Sequence, residues 1–124
     1  FCQWAEKKLP SEKQWERAAK GTDGKEYPWG NEYQSGMANL SDRAGSKNKP
    51  VAVGSFPKSI SNEGVHDLVG NVWEWTQSDH ERSGKVARGG SWRNGVGSLK
   101  SSHRISSLPI HKFHYVGFRC VVSE

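Results

Sequence analysis

The clearest periodic pattern of apolar side chains lies between residues 11 and 21 and predicts a helix of about ten residues. Trp15, Ala18 and Ala19 fall on one face at helical spacing, so we expect this face to be buried. Ser11 and Gln14 have the spacing of a capping box, in which each side chain bonds the other residue's backbone amide. Gly21 is placed to end the helix as a C-terminal cap.

Three later segments alternate apolar and polar residues and predict short strands at 72–76, 86–92 and 116–122. Residues 21–65 carry Gly or Pro at short intervals and predict loops with short extended pieces. The sequence therefore favours an α+β architecture, with one helix and few short antiparallel strands under long loops. Loops of this length need internal hydrogen bonds or a metal ion to stay ordered.

The composition fits a single compact domain held by a few large side chains. Only 33% of the 124 residues are hydrophobic, and no apolar run is long enough for a transmembrane helix. The chain nevertheless contains 14 Gly and 6 Trp. So many indoles argue for a folded core and against a disordered chain.

Positive charge is concentrated in the last third of the chain. Residues 1–82 hold 11 basic and 12 acidic side chains, whereas residues 83–124 hold seven basic and one acidic. Nucleic-acid modules usually show denser Lys/Arg stripes or a recognisable motif, and neither is present. We therefore expect no nucleic-acid partner and interpret these basic residues mainly as arginines that brace loops.

The two cysteines, Cys2 and Cys120, lie near opposite ends of the chain. Their spacing excludes a CxxC motif, and no Cys/His set has the spacing of a zinc site. A disulfide and two buried thiols both remain open, so the redox compartment is not fixed by the sequence.

Several motifs carry a family resemblance. They are residues 9–16 (LPSEKQWE), 67–75 (DLVGNVWEW), 88–92 (RGGSW) and 117–120 (GFRC), with 27–31 (YPWGN) and 50–57 (PVAVGSFP) between them. In this order they resemble the formylglycine-generating-enzyme family, also called the sulfatase-modifying-factor domain. The resemblance implies a loop-rich variant of the C-type lectin fold.

The resemblance also implies that residues 1–124 correspond to the C-terminal part of one family domain. The opening strands of the family are missing before Phe1. Phe1, Trp4 and Ala5 have the spacing of a helix that is already under way. We therefore expect a fragment or a processed chain.

The GNVWEW segment at 70–75 has a direct physical interpretation. Alternation sends Trp73 and Trp75 to one face, where two indoles can form a core, and Glu74 to the other. The amide side chain of Asn71 can bind a neighbouring loop.

Calcium is the first candidate ligand, because family enzymes bind it at this motif. The resemblance assigns the ion to the side chains of Asp67 and Glu74 and the carbonyls of Gly70 and Val72. Such oxygen ligands suit a hard cation. The alternative is that Asp67 and Glu74 bond loop amides without a metal.

A second family calcium site maps onto Asn39 and the Leu40 carbonyl. The stretch that carries its carboxylate is shortened in this chain, and Asp42 is the one substitute that the sequence offers.

Catalysis is the second candidate, and here the chain departs from the family pattern. The copper-dependent oxidases use two cysteines just before the arginine that matches Arg104, and Val96 and Ser101 stand at those positions. Without soft ligands we expect no copper. The related sulfoxide synthases hold iron with a separate histidine-rich domain that this chain lacks, so we expect no iron. We interpret His111 and His114 as solvated side chains.

Ligand binding is the third candidate and the favoured one, because residues 105–115 mix aromatic, histidine and hydroxyl side chains without a strand or helix period. The pattern suits a rigid binding surface. The framework around it would be braced by Arg88, Trp92, Arg104 and Arg119. The candidate contact residues are Arg93, Gly95, Ser98, His103, Ile105, Ser106, Ser107, Leu108, Ile110, His111, Phe113, His114 and Tyr115.

Within the family fold, this segment is most similar to the variable proteins of diversity-generating retroelements, whose diversified stretch begins after the Gly-Gly-Ser-Trp motif. Adenine mutagenesis of their Asn codons cannot produce Lys, Glu, Gln, Trp or Met. Residues 105–115 contain one such residue, Lys112, at a framework position. The resemblance implies a ligand-binding protein of a bacterial surface, or a secreted one, with a protein or glycan as its ligand. The alternatives are a formylglycine-generating or sulfoxide-synthase-like oxidoreductase and a non-catalytic regulatory domain.

Overall fold

The computed structural model describes residues 1–41 and 47–122, and the backbone but not the side chain of Ser98. Asp42, named above as a calcium substitute, lies outside the described residues. Within these ranges, the regular elements are one helix, α1 (Glu12–Lys20), and four strands, β1 (Trp73–Asp79), β2 (Lys85–Arg88), β3 (Arg104–Ser107) and β4 (Val116–Phe118). Short 3-10 turns occupy Pro57–Ser59 and Val96–Ser98.

Helix α1 begins and ends where the sequence predicts. The Ser11 hydroxyl accepts from the Gln14 amide at 3.1 Å, and the Gln14 side chain accepts from the Ser11 amide at 2.8 Å. Gly21 follows the last turn at φ 65°, in the left-handed region that favours glycine. Trp15 and Ala19 are buried as expected, whereas Ala18 is only half-buried.

The four strands form one sheet in the order β3-β2-β1-β4. β2 runs antiparallel to both β1 and β3, but β4 runs parallel to β1, which corrects the expectation of antiparallel strands throughout. The reason is the connection from β3 to β4: residues 108–115 carry the chain from one edge of the sheet to the other. This crossing segment contains six of the thirteen predicted contact residues.

The predicted strands are present, with different ends. β2 stops at Arg88, because Gly89 and Gly90 follow with φ of 101° and 74°. β4 stops at Phe118, and beyond it the Val121 backbone pairs with Lys8 near the N-terminus. An added Cβ on Gly90 would lie 2.1 Å from Leu99 Cδ2, so this turn admits only glycine.

Across the described ranges, buried apolar side chains form two small clusters. One contains Ala38, Leu40, Val69 and Leu99, and the other contains Trp15, Ala19 and Leu68. Among the described residues, no helix is long and apolar enough to cross a bilayer.

The two cysteines form a disulfide, which resolves the choice that the sequence leaves open. It ties the N-terminal segment to the residues after β4. Residues 2–6 lie in turns, and the Ala5 amide donates to the Phe1 carbonyl four residues earlier at 3.0 Å, so the expected helix end is present as one helical turn and not as an assigned helix.

Candidate functional site

Arg88, the last residue of β2, joins the sheet to the helix from an almost completely buried position. Its Nη1 donates to Glu12 Oε1 at 3.0 Å, and its Nη2 donates to Glu16 Oε2 at 2.9 Å and to the Ser101 carbonyl. Burial alone would raise the pKa of Glu16, but hydrogen bonds from Lys20 and Arg88 lower it below its ordinary value. The carboxylate therefore stays ionised beside the buried guanidinium.

Arg104 is the partner of Arg88 in the β2–β3 register. Its Nη1 donates to Glu81 Oε1 at 2.6 Å and its Nη2 to Glu12 Oε2 at 2.8 Å. These two bonds raise the pKa of Arg104. Glu12 thus bridges two arginines on neighbouring strands and fixes α1 against the sheet.

Arg119, which directly follows β4, is the third bracing arginine. Its Nε and Nη2 form a two-pronged pair with the Glu74 carboxylate at 2.7 and 2.6 Å, and Nη2 also donates to the His66 carbonyl at 2.8 Å. Burial lowers the pKa of Arg119, but Glu74 and Asp67 outweigh it, so the pKa is raised. The predicted role of Arg88, Arg104 and Arg119 as loop braces is confirmed by these contacts.

The donor set assigned to the first calcium site does not fit the ion in this arrangement. Both Glu74 oxygens face Arg119, and Oε2 also accepts from the Trp15 indole at 2.7 Å. Asp67 Oδ2 accepts from the Gly54 amide at 2.7 Å. A calcium ion on Glu74 would lie against a bound guanidinium, which like-charge repulsion disfavours. Asp67 thus bonds a loop amide, whereas Glu74 bonds Arg119 and the Trp15 indole and no loop amide.

The Asn39 side chain of the second proposed calcium site is also engaged. Its Oδ1 accepts from the Lys47 amide at 3.2 Å, and its Nδ2 donates to the Lys49 carbonyl at 2.9 Å. Asn71 continues the same network by exchanging hydrogen bonds with the Val51 backbone, which confirms its predicted contact with a neighbouring loop. Leu40, named with Asn39, is a core residue. Within residues 1–41 and 47–122, no three His, Cys, Asp or Glu side chains are grouped to share a metal.

We predict that the thermal stability of this chain does not depend on calcium, because Arg119 supplies the positive charge that balances Glu74 and Asp67. The melting temperature, followed by circular dichroism, should be the same in millimolar calcium and after the calcium has been removed by a chelator. A drop of about 4 °C or more on chelation, equivalent to about 1 kcal/mol, would contradict this assignment.

The last four predicted contact residues form a continuous set of ring contacts, and we call these four together with Trp92 and Arg93 the aromatic surface. It consists of Trp92, Arg93, His111, Phe113, His114 and Tyr115. Ring centroids are 5.8 Å apart for His111 and Phe113, 5.0 Å for Phe113 and Tyr115, and 5.6 Å for Tyr115 and His114. The His114 ring is 6.0 Å from that of Trp92.

This surface faces solvent. Phe113 is 38% exposed, His111 and His114 are exposed, and Tyr115 is half-buried. Ile110, in the turn that leads to it, is 80% exposed. None of these side chains belongs to the core, as a binding surface requires. Trp92 was expected to act only as a brace, whereas its ring contacts His114 and so extends the surface.

Main-chain hydrogen bonds hold the aromatic surface in place. The Tyr115 carbonyl accepts from the Trp73 amide at 2.8 Å, and the Trp92 amide donates to the Asn71 carbonyl at 2.9 Å. Ser107 Oγ and His111 Nδ1 lie 3.2 Å apart, which links the end of β3 to the crossing segment. The rings are therefore presented on backbone that the sheet already fixes.

The other predicted contact residues are placed outside the ring cluster. Ile105, Ser106 and Ser107 belong to β3, which the sequence did not predict as a strand, and Leu108 follows it at 46% exposure. His103 precedes β3 and is half-buried, while Gly95 is exposed beside the turn that contains Ser98.

Sequence reasoning missed a groove between the N-terminal segment and strands β1 and β4. Leu9, Trp75 and Phe118 line it together with Phe1, and Trp4 stands next to Phe1 with 81% of its surface exposed. The Cys2–Cys120 disulfide holds the aromatic residues near the N-terminus next to those of the sheet. The sequence left this disulfide undecided and did not indicate that these aromatic residues meet.

Comparison with known proteins identifies the family. The sulfatase-modifying factor enzyme 1-like domain matches residues 1–124. The chain is 36% identical to inactive C-alpha-formylglycine-generating enzyme 2 of Mus musculus, over 99% of this chain and 45% of that protein. It is 32% identical to hercynine oxygenase of Mycolicibacterium smegmatis, over 96% of this chain and 34% of that protein. The chain thus spans less than half the length of these relatives.

The fold is shared with a solved variable protein. Treponema denticola variable protein 1 superposes with a TM-score of 0.71 and 26% identity, over 90% of this chain and 46% of that one. The single helix, the short strands and the long loops are those of the formylglycine-generating type of C-type lectin-like fold. This chain is a member of the sulfatase-modifying factor enzyme 1-like domain family.

Proposed function

We propose that this chain is a ligand-binding domain that displays a diversified C-terminal surface, as the variable protein of a diversity-generating retroelement. The observation that carries the proposal is the aromatic surface itself: a row of contacting rings, open to solvent, on backbone held by the sheet. The similarity to Treponema denticola variable protein 1 supports it.

The chemistry of the surface suits recognition by contact. Aromatic side chains supply large contact areas and lose little conformational entropy on binding, since few torsions must be fixed. The framework beneath them does not depend on their identity, because Arg88 and Arg104 join α1 to the sheet through Glu12 and Glu16. Arg119 independently binds Glu74 of β1. Such a scaffold tolerates exchange of the surface residues.

The disulfide supports a location outside the cytoplasm. Structural disulfides persist mainly in secreted proteins and at cell surfaces. The Cys2–Cys120 bond links residues 118 positions apart and closes almost the whole chain into one loop. We therefore assign the domain to a bacterial surface or a secreted protein that meets a protein or glycan ligand.

The proposal is tested by sequencing the gene and its flanks in several isolates. We expect substitutions to fall at positions such as Ile105, Ile110, Phe113 and His114, and to be confined to adenines of one strand of a nearby template repeat. A reverse transcriptase gene should lie beside that repeat. Variation that is spread evenly over framework codons such as those of Arg88, or the lack of a template, would overturn the assignment.

The competing function is that of an oxidoreductase domain or a non-catalytic regulatory domain of the same family. The similarity to hercynine oxygenase favours the first, and that to an inactive formylglycine-generating enzyme the second. At the family's copper positions, Val96 is half-buried and Ser101 is buried, with its carbonyl bound to Arg88. Conversion of a cysteine-containing peptide to its formylglycine product would reverse the ranking.

A further inference from the structure

Arg93 differs from the other arginines of the positively charged C-terminal third. Arg88, Arg104 and Arg119 each pair with a carboxylate. Arg93 is exposed, and in the part of the chain that the structure describes its guanidinium pairs with no carboxylate. A guanidinium that braces no loop is free to bind an anion from outside.

The position of Arg93 is nevertheless fixed. Its guanidinium carbon lies 4.8 Å from the centre of the Tyr115 ring and 6.0 Å from that of Trp92. Its backbone amide donates to Ser91 Oγ at 3.2 Å. Stacking on rings orients a guanidinium and leaves its N–H edges able to donate two parallel hydrogen bonds to one carboxylate.

The surroundings of Arg93 favour a negative ligand. No carboxylate side chain occurs between Ser83 and Ser123. His111, Lys112 and His114 are exposed in the crossing segment. The carboxylates that contact this third of the chain are already bound to arginines, as Glu12 and Glu81 are, or to lysines, as Asp79 and Glu26 are.

We propose that the aromatic surface binds an acidic segment of a partner protein and that Arg93 holds a carboxylate of that segment. The inference rests on the proposed binding function and names the class of its partner. A protein is favoured over a glycan because Leu108 and Ile110 expose aliphatic side chains, at 46% and 80%, in the same crossing segment. Apolar side chains of a partner protein can cover these aliphatic groups, and its carboxylates can pair with the positively charged side chains of this surface.

The experiment is a selection from a phage-displayed library of random 12-residue peptides on the immobilised, disulfide-bonded chain. We expect the enriched peptides to share an Asp or Glu next to an apolar residue. Arg93→Gln should weaken their binding about tenfold, the effect of one lost charge-assisted pair. Arg93→Lys should restore only part of the affinity, because an ammonium cannot form the two-pronged contact.

The matched control is Arg17→Gln, which removes an exposed arginine of α1 that pairs with Glu63. Its peptide affinity should equal that of the unmodified chain. Replacing the shared peptide carboxylate with its amide should lower the affinity of the unmodified chain about tenfold. The same replacement should not lower the affinity of the Arg93→Gln variant any further, as a double-mutant cycle requires of interacting groups.

The outcomes separate this inference from the function on which it rests. Peptides that bind through Phe113 but show no acidic residue, or ignore Arg93→Gln, overturn the inference and leave the binding function standing. Binding that is unaffected by Phe113→Ala, or no enrichment at all, counts against both. Stronger Arg93-dependent binding of heparin oligosaccharides than of any peptide would overturn the assignment to a protein.

Discussion

Replacement of Arg119 with methionine is expected to lower the free energy of unfolding by about 3 kcal/mol. The change leaves Glu74, whose side chain is 8% exposed, without the cation that binds both of its oxygens. The Trp15 indole still donates to Glu74, but a buried carboxylate without a counter-ion costs more than the packing that methionine restores. Because Arg119 keeps 28% of its side-chain exposure, we expect the lower end of the range for a broken buried pair. Urea denaturation at neutral pH measures the loss.

The matched control is Arg93→Met, which removes an exposed arginine without a carboxylate partner and should change stability by less than about 0.5 kcal/mol. The double variant Arg119→Met/Glu74→Met should recover part of the loss, since no uncompensated charge remains in the interior. Equal stability of Arg119→Met and Arg93→Met would show that the Glu74 pair is not a structural brace.

The Glu74 pair shows where sequence reasoning about the site stops. Alternation in the GNVWEW motif places Glu74 opposite Trp73, but it does not identify what Glu74 meets. The family resemblance supplied calcium as that partner, whereas the structure supplies Arg119, which lies 45 residues further along the chain. Charge balance between distant loops depends on the tertiary fold, and no local pattern in either segment encodes it.

The fold was predictable to the extent that local rules determine it. Ser11 and Gln14 fix the start of α1 because the capping box involves only neighbouring residues. β3 was not predicted, since Arg104–Ser107 has no regular alternation and becomes a strand by pairing with Lys85–Arg88. The parallel direction of β4 likewise follows from the path of the crossing segment, which periodicity does not report.

The aromatic surface was predictable in composition but not in arrangement. The mixed aromatic and histidine content of residues 105–115 pointed to a surface, and Phe113 and His114 are exposed there. The sequence could not show that Trp92 joins them or that Arg93 lies over Tyr115. Both contacts depend on the parallel placement of β4, which brings Tyr115 next to the turn after β2.

Removal of the disulfide is the second large effect that we predict. The double variant Cys2→Ser/Cys120→Ser should lose about 2–5 kcal/mol of unfolding free energy, because the cross-link closes a long loop and restricts the unfolded chain. Its sequence separation is 118, so nearly every residue lies within that loop. Guanidinium denaturation of the oxidised chain and of the variant measures the difference.

Chemical reduction of the unmodified chain provides the control for the serine substitutions. The reduced chain and the double variant should unfold at the same denaturant concentration, and each single serine variant should match them. A double variant within about 0.5 kcal/mol of the oxidised chain would contradict the prediction.

The disulfide and the Arg119 pair are also expected to be coupled, because Cys120 follows Arg119 directly and fixes the backbone that carries it. Adding Arg119→Met to the serine variant should therefore cost less than the same change costs in the oxidised chain, since residues in contact do not contribute additively. If the two losses of unfolding free energy add fully, the disulfide acts on the unfolded chain alone. A smaller combined loss would show that it also holds the Glu74 brace in register.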